Sequence, residues 1–220
     1  MKSLILGATK GLGKEIASEC LKKGWNTIEI GSSTHDKLHE NRTFLNCDLS
    51  STESVASLIE KLNELGPINH FFWVAGRVLK GDFKEQSPAE IYQTIDVNFR
   101  NAVPIVHFTW QQMQNSAEKS SITIISSSSG KKPRYDEAVY VSTKFAQVGF
   151  AQSLGLENKN NNLKICLVLP GGMKTQLWDR NPTNDYESFL DPSKVASKIV
   201  SFVIDQHEGY AELEIPRGSL

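Results

Sequence analysis

Residues 1–24 read MKSLILGATKGLGKEIASECLKKG, and they decide the fold. Three glycines, Gly7, Gly11 and Gly13, separate the apolar run Leu4-Ile5-Leu6 from a stretch whose Leu12, Ile16, Cys20 and Leu21 share one helical face. Lys22-Lys23 and then Gly24 supply a helix stop. A tight strand-to-helix turn accounts for one glycine. Three of them at the mouth of a helix let an anion approach free backbone N–H groups and the positive end of the helix dipole. The spacing Gly-x-x-x-Gly-x-Gly is neither G-x-G-x-x-G nor a Walker A loop, which needs Gly-Lys-Ser/Thr. At the first strand of a βαβ unit it predicts a dinucleotide site at the carboxyl ends of the strands.

Strand-like and helix-like segments alternate along the remaining chain. The predicted strands are 3–6, 26–30, 43–46, 68–74, 121–126, 163–169 and 210–215. Several are apolar without a break, notably Phe71-Phe72-Trp73-Val74 and Ile165-Cys166-Leu167-Val168-Leu169, as a parallel sheet covered on both faces requires. Val55, Leu58, Ile59 and Leu62 form a helical stripe, with Ser50 and Glu53 as its expected capping box and Gly66-Pro67 as its stop. Ser87-Pro88-Ala89-Glu90 is a second box with proline at the first helical position. The pattern predicts an α/β fold, a doubly wound, mostly parallel seven-stranded sheet with helices on both faces. No repeat or linker composition interrupts it, so residues 1–220 read as one domain.

Composition excludes several function classes. A formal net charge of −1 gives no general attraction to nucleic acid or an anionic membrane, and neither is expected as a partner. Cys20, Cys47 and Cys166 are far apart without C-x-x-C spacing, which favours buried free thiols in a reducing compartment over redox or metal roles. The five histidines show no ligand spacing, so no metal is expected. The first apolar run ends at Gly7, too short for a secretory leader, and no stretch reaches transmembrane length. The expected location is cytoplasmic.

Dinucleotide folds separate NAD from NADP at the end of the second strand, where a carboxylate bonds the ribose 2′-OH and repels a 2′-phosphate. Here Ile28-Glu29-Ile30 is followed by Gly31-Ser32-Ser33-Thr34, with no carboxylate until Asp36, and Glu29 faces away from the pocket in a regular strand. Lys10 can offer a positive charge, while Ser32 and Ser33 can donate to phosphate. NADP(H) is therefore favoured over NAD(H). A solvated lysine and a merely polar loop are the competing reading.

Tyr140-Val-Ser-Thr-Lys144 places a phenol and an ammonium at i and i+4. A phenol of pKa about 10 is a poor acid–base group at neutral pH, and a neighbouring cation brings it toward useful range. The pattern is short enough to arise by chance, so its company decides. Ser121-Ile-Thr-Ile-Ile-Ser-Ser-Ser-Ser-Gly130 reads as a buried strand ending in a serine cluster that would face the cofactor cleft.

With those residues together the chain resembles the short-chain dehydrogenase/reductase family, built on a single Rossmann domain with a Tyr-x-x-x-Lys site. The likeness runs through nearly the whole chain. Gly7-Ala-Thr-Lys-Gly-Leu-Gly13 resembles the family's glycine motif, Asp48-Leu49 its adenine-side pair, and Ala75-Gly76 the end of its Asn-Asn-Ala-Gly segment. Val97-Asn98 resembles its Asn-bearing helix, and Pro170-Gly171-Gly172-Met173-Lys174-Thr175 the Pro-Gly loop beside the nicotinamide. Ser127, thirteen residues before Tyr140 and three before Gly130, matches the catalytic serine; Ser126, Ser128 and Ser129 are expected to be structural or substrate-loop residues.

The resemblance implies that Tyr140 exchanges the proton, Lys144 holds the nicotinamide ribose and lowers the phenol's pKa, Ser127 orients the carbonyl, and Asn98 anchors a water on the proton path. It implies cofactor contacts from Gly7, Thr9, Lys10, Gly11, Leu12, Gly13, Ser32, Ser33, Asp48, Leu49, Ala75, Gly76, Tyr140, Lys144, Pro170, Gly171, Met173 and Thr175. The expected activity is NADP(H)-dependent interconversion of a small-molecule carbonyl and a secondary alcohol. A catalytically idle NAD(P)-binding sensor or scaffold is the alternative.

A homodimer or homotetramer is implied by resemblance, with Val103, Ile105, Val106 and Phe108 serving an interface or the core. Trp73-Val74 depart from the family's two asparagines, and Leu6 from its usual threonine. The loop Lys131-Lys132-Pro133-Arg134-Tyr135 and segment 176–189, with Trp178, Tyr186 and Phe189, are expected to border the substrate pocket.

Overall fold

Seven strands form along the expected apolar runs in the computed structural model, which describes residues 1–33, 40–179 and 185–220. They are β1 (Lys2–Leu6), β2 (Asn26–Gly31), β3 (Arg42–Asn46), β4 (His70–Trp73), β5 (Ser120–Ile125), β6 (Leu163–Pro170) and β7 (Tyr210–Ile215). Six α-helices connect them: α1 (Gly11–Lys22), α2 (Thr52–Glu64), α3 (Pro88–Ile95), α4 (Val103–Gln114), α5 (Ala138–Glu157) and α6 (Pro192–Asp205). The sheet runs β3-β2-β1-β4-β5-β6-β7, and every pairing is parallel. Strand order reverses at β1, where Leu6 sits beside Ile30 of β2 on one side and Trp73 of β4 on the other. That is the switch point where a doubly wound sheet opens a crevice.

Side-chain alternation splits the apolar strands between two cores. Leu4, Leu6, Phe71 and Trp73 pack under α2 and α4, while Ile5, Phe72, Cys166 and Val168 pack with residues of α1 and α6. Ile105, Val106 and Phe108 are buried within this chain, so they belong to the core. All three cysteines are buried free thiols.

Local signals hold in most places. Ser87 and Glu90 form a reciprocal capping box at α3 with Pro88 in the first turn. Gly24 follows α1 with φ +74°. The cap of α2 is corrected by one residue. Ser51, not Ser50, accepts the N–H of Ser54 at 3.1 Å, because Asp48 Oδ1 takes both the N–H and the hydroxyl of Ser50 at 2.8 Å. Strand β4 is also shorter than expected. Val74 and Ala75 leave the ladder and both donate to the Leu6 carbonyl, at 2.9 and 2.8 Å, turning the chain across the end of β1.

Candidate active site

The exits of β1 and β4 diverge around a cleft of about 690 Å³. Gly7, Thr9, Lys10, Gly11, Leu12 and Gly13 line its floor, with Ser32, Asp48 and Leu49 at one end and Ala75, Gly76, Tyr140, Lys144, Met173 and Thr175 at the other. The first turn is pinned from below, since Gly7 and Ala8 both donate to the Ile30 carbonyl at 2.8 and 2.9 Å. Gly7 has φ +94°, and a Cβ there would stand 2.6 Å from Ala75 N. A Cβ on Gly13 would stand 2.0 Å from the Gly7 carbonyl oxygen. Both positions therefore require glycine for the turn to close on itself. Among the described residues no side chain caps α1, and its first turn holds no carboxylate, so its N–H groups and dipole are available to an anion. These are the features a pyrophosphate needs.

Other expected cofactor residues fall elsewhere. Pro170 and Gly171 line a smaller cavity of about 80 Å³, not the large cleft, while Met173 and Thr175 line both. Ser33 lines neither and is exposed. Asp36 lies outside the described residues, as do 180–184 of segment 176–189. Glu29 is turned inward. It is buried and bonded to Arg42 through both carboxylate oxygens, at 2.7 and 2.8 Å, and to Thr27.

Ser127, Tyr140 and Lys144 meet where the two cavities join. Tyr140 lines both, Ser127 the smaller and Lys144 the larger. The Ser127 hydroxyl accepts the Ser129 N–H at 3.1 Å. Lys144 Nζ lies 5.8 Å from the Tyr140 ring centroid. It donates to the Ile125 carbonyl at 3.2 Å and to Gln147 Oε1 at 2.9 Å. Burial pushes the Tyr140 phenol up to about 12, opposed in part by the nearby Ser127 hydroxyl. Burial also pulls Lys144 down to about 7. Tyr140 is therefore a neutral proton donor at physiological pH; without cofactor its phenol stands above the ordinary value, not below it as pairing with Lys144 implied, because burial dominates.

Asn98 is held from several sides by the chain itself. It is fully buried in a π-helical turn, Asp96–Arg100, and lines neither cavity. Its amide clamps the β4 exit, accepting Arg77 N–H at 2.7 Å and donating to Arg77 O at 2.9 Å and Thr143 Oγ1 at 3.0 Å. Its backbone carbonyl accepts Gln147 Nε2 at 2.9 Å. Gln147 was not singled out from the sequence. Its signal was available: a polar residue three positions after Lys144, on the same buried helix face.

Around the smaller cavity, Arg134, Glu137, Trp178 and Arg217 join the serines. Lys131 is corrected to a structural role, held by Glu212 and Glu214 of β7 at 2.9 and 2.6 Å. Tyr135 points into solvent. Ser126 is structural as expected, donating to the Lys144 carbonyl at 2.9 Å. Trp178 and Tyr186 pack on Phe189, with centroids 5.3 and 5.4 Å away, and only Trp178 reaches the cavity. Trp73 replaces asparagine chemistry with an aromatic cluster on Phe99 and Phe150, at 6.1 and 6.3 Å. Its indole N–H is buried without an acceptor among the described residues.

A family model described as short chain dehydrogenase matches residues 2–185. The chain is 30% identical over 183 residues to an uncharacterized oxidoreductase of Schizosaccharomyces pombe (strain 972), covering 81% of this chain and 62% of that protein. It is 30% identical over 182 residues to the uncharacterized oxidoreductase YvrD of Bacillus subtilis (strain 168), covering 79% and 68%. Among solved structures it superposes on ElxO with NADP bound at TM-score 0.85 and 23% identity, covering 99% of this chain and 98% of that one. It superposes on a 3-ketoacyl-(acyl-carrier-protein) reductase from Brucella melitensis complexed with NADH at TM-score 0.87 and 18% identity, covering 99% and 97%.

Proposed function

The chain belongs to the short chain dehydrogenase family, and on that premise we propose that it is an NADP(H)-dependent oxidoreductase interconverting a small carbonyl compound and its secondary alcohol, with Tyr140 as the acid–base group. The observation that carries this reading is the meeting of Ser127, Tyr140 and Lys144 at the junction of a dinucleotide-sized cleft and a smaller cavity. A bound nicotinamide dinucleotide supplies or accepts the hydride. Every other part of the task falls to this chain's residues.

The glycine turn and the start of α1 hold the pyrophosphate, Asp48 and Leu49 border the adenine end, and Ala75 and Gly76 flank the middle of the cleft. Met173 and Thr175 close the nicotinamide end, with Pro170 and Gly171 behind them. Ser127 donates to the substrate oxygen, and Tyr140, neutral at physiological pH, delivers the proton to it during reduction. The Lys144 ammonium, 5.8 Å from the ring, stabilises the phenolate that forms.

The preference for NADP(H) is supported by what borders the β2 end of the cleft. Ser32 and Lys10 line it, and the carboxylate of Glu29 is locked to Arg42 inside the sheet. Assembly as a homodimer or homotetramer in the cytoplasm, with residues 1–220 as a single domain, belongs to the same proposal.

Fluorescence titration with NADPH and NADH, followed by a carbonyl panel, tests the reading. NADPH should bind more tightly, and Lys10→Ala should weaken NADPH more than NADH. Equal weakening would remove the proposed 2′-phosphate contact. Tight binding without turnover across a broad panel would favour the idle sensor.

A further inference from the structure

Gln147 is fully buried one turn beyond Lys144 on α5, and both ends of its amide are bonded. Oε1 accepts from Lys144 Nζ at 2.9 Å, and Nε2 donates to the Asn98 backbone carbonyl at 2.9 Å. A buried amide is tolerated only when both halves find partners, and an apolar side chain would pack against the core without that demand. Of the three N–H groups of Lys144, one goes to the Ile125 carbonyl and one to Gln147, which leaves one for the cleft that Lys144 lines.

Among the described residues no carboxylate pairs with Lys144. Tyr140 faces it from its own helix, and Glu137, a turn earlier, lines the smaller cavity. In the adjoining π-helical turn, Asp96 and Arg100 pair with each other at 3.1 Å. At the β4 exit Arg77 is bonded to Gln93, and β5 presents a backbone carbonyl.

We propose that Gln147 is a positioning residue for the reaction: its amide anchors the Lys144 ammonium to the Asn98 backbone and serves as a neutral substitute for a counter-ion. Neutrality matters. A carboxylate here would hold the lysine but cancel much of its field at the phenol, whereas an apolar residue would leave a buried ammonium short of an acceptor. The pull of burial on Lys144, down to about 7, makes that acceptor consequential near neutral pH. The catalytic consequence rests on the reductase reading; the hold on Lys144 does not.

The test uses the full chain with Gln147→Leu and Gln147→Glu. Lysine side-chain NMR, with the Lys144 signal assigned by its absence in Lys144→Arg, gives the Lys144 titration without cofactor. NADPH-oxidation pH profiles follow. Leu should lower the Lys144 midpoint by about one pH unit, Glu should raise it by about as much, and the alkaline limb of kcat/KM should move the same way. At pH 7 Gln147→Leu should lose about fivefold in kcat, as the protonated fraction of Lys144 falls with its midpoint. A Lys144 signal titrating at one pH in all three chains would overturn the proposal. Should the Leu variant not fold, the upward move in Gln147→Glu still decides it, and its absence refutes the hold. Ordered midpoints with no turnover in the wild type would remove the reductase reading and leave the hold standing.

Discussion

Lys144→Met should stabilise the cofactor-free protein in a way that fades as pH rises. Lys144 is buried with neutral hydrogen-bond partners, and burial brings it from the ordinary 10.5 down to about 7. The unfolded chain therefore binds more protons than the folded one between those values. Wild-type stability from this group rises with pH through that window and is lost as pH falls toward 7. Each pH unit separating two such midpoints is worth about 1.4 kcal/mol. A folded midpoint near 7 gives up most of its proton between about pH 6.5 and 8.5, which integrates to about 2 kcal/mol. Methionine has similar length and no charge, so the variant lacks this term, and all other titrating groups cancel in the comparison. Urea unfolding of both chains at the two pH values measures it. The advantage of Lys144→Met over wild type should shrink by about 2 kcal/mol across the range. Parallel stability curves would show that the folded chain does not depress Lys144, and the account of a poised lysine would fall with them.

Two further substitutions test other parts of the account. Gly13→Ala puts a Cβ 2.0 Å from the Gly7 carbonyl oxygen, so the turn must open. NADPH affinity should fall more than about tenfold, because overpacking of this kind costs about 1–3 kcal/mol; wild-type affinity in a titration would contradict the cradle. His70 is buried against Trp25 and bonded to Ser121, and burial holds it down at about 4 against an ordinary 6.5. Through that interval the unfolded chain takes up a proton that the folded chain refuses, so wild type should lose about 2 kcal/mol more than His70→Phe between about pH 7 and 4.5. Equal losses in urea unfolding would exclude His70 as an acid-sensitive group.

The sheet was legible because the information is local. Unbroken apolar runs such as Phe71-Phe72-Trp73 set strands buried on both faces, and the glycine spacing set the first turn. Ser127, Tyr140 and Lys144 were singled out by the resemblance, since the Tyr-x-x-x-Lys spacing alone arises by chance and four adjacent serines end the strand. What escaped depends on contacts between distant segments. Lys131 pairs with Glu214, 83 positions away, and Gln147 meets the Asn98 carbonyl across 49. Neither partner is encoded near the residue. Trp73 belongs to the same class, since its fit rests on Phe99 and Phe150 from other elements. The cap of α2 moved for the opposite reason: Asp48, two residues upstream, outcompetes the helix for Ser50.

The most direct test of the central claim is steady-state NADPH oxidation by Tyr140→Phe beside wild type, on the best carbonyl from the panel, with NADPH affinity measured in parallel. Tyr140 borders both cavities, so losing its phenol oxygen removes the proton donor while leaving the cleft walls in place. The account predicts that kcat drops by about 10²–10⁴ with NADPH binding changed less than about threefold. Wild-type turnover by Tyr140→Phe would contradict it.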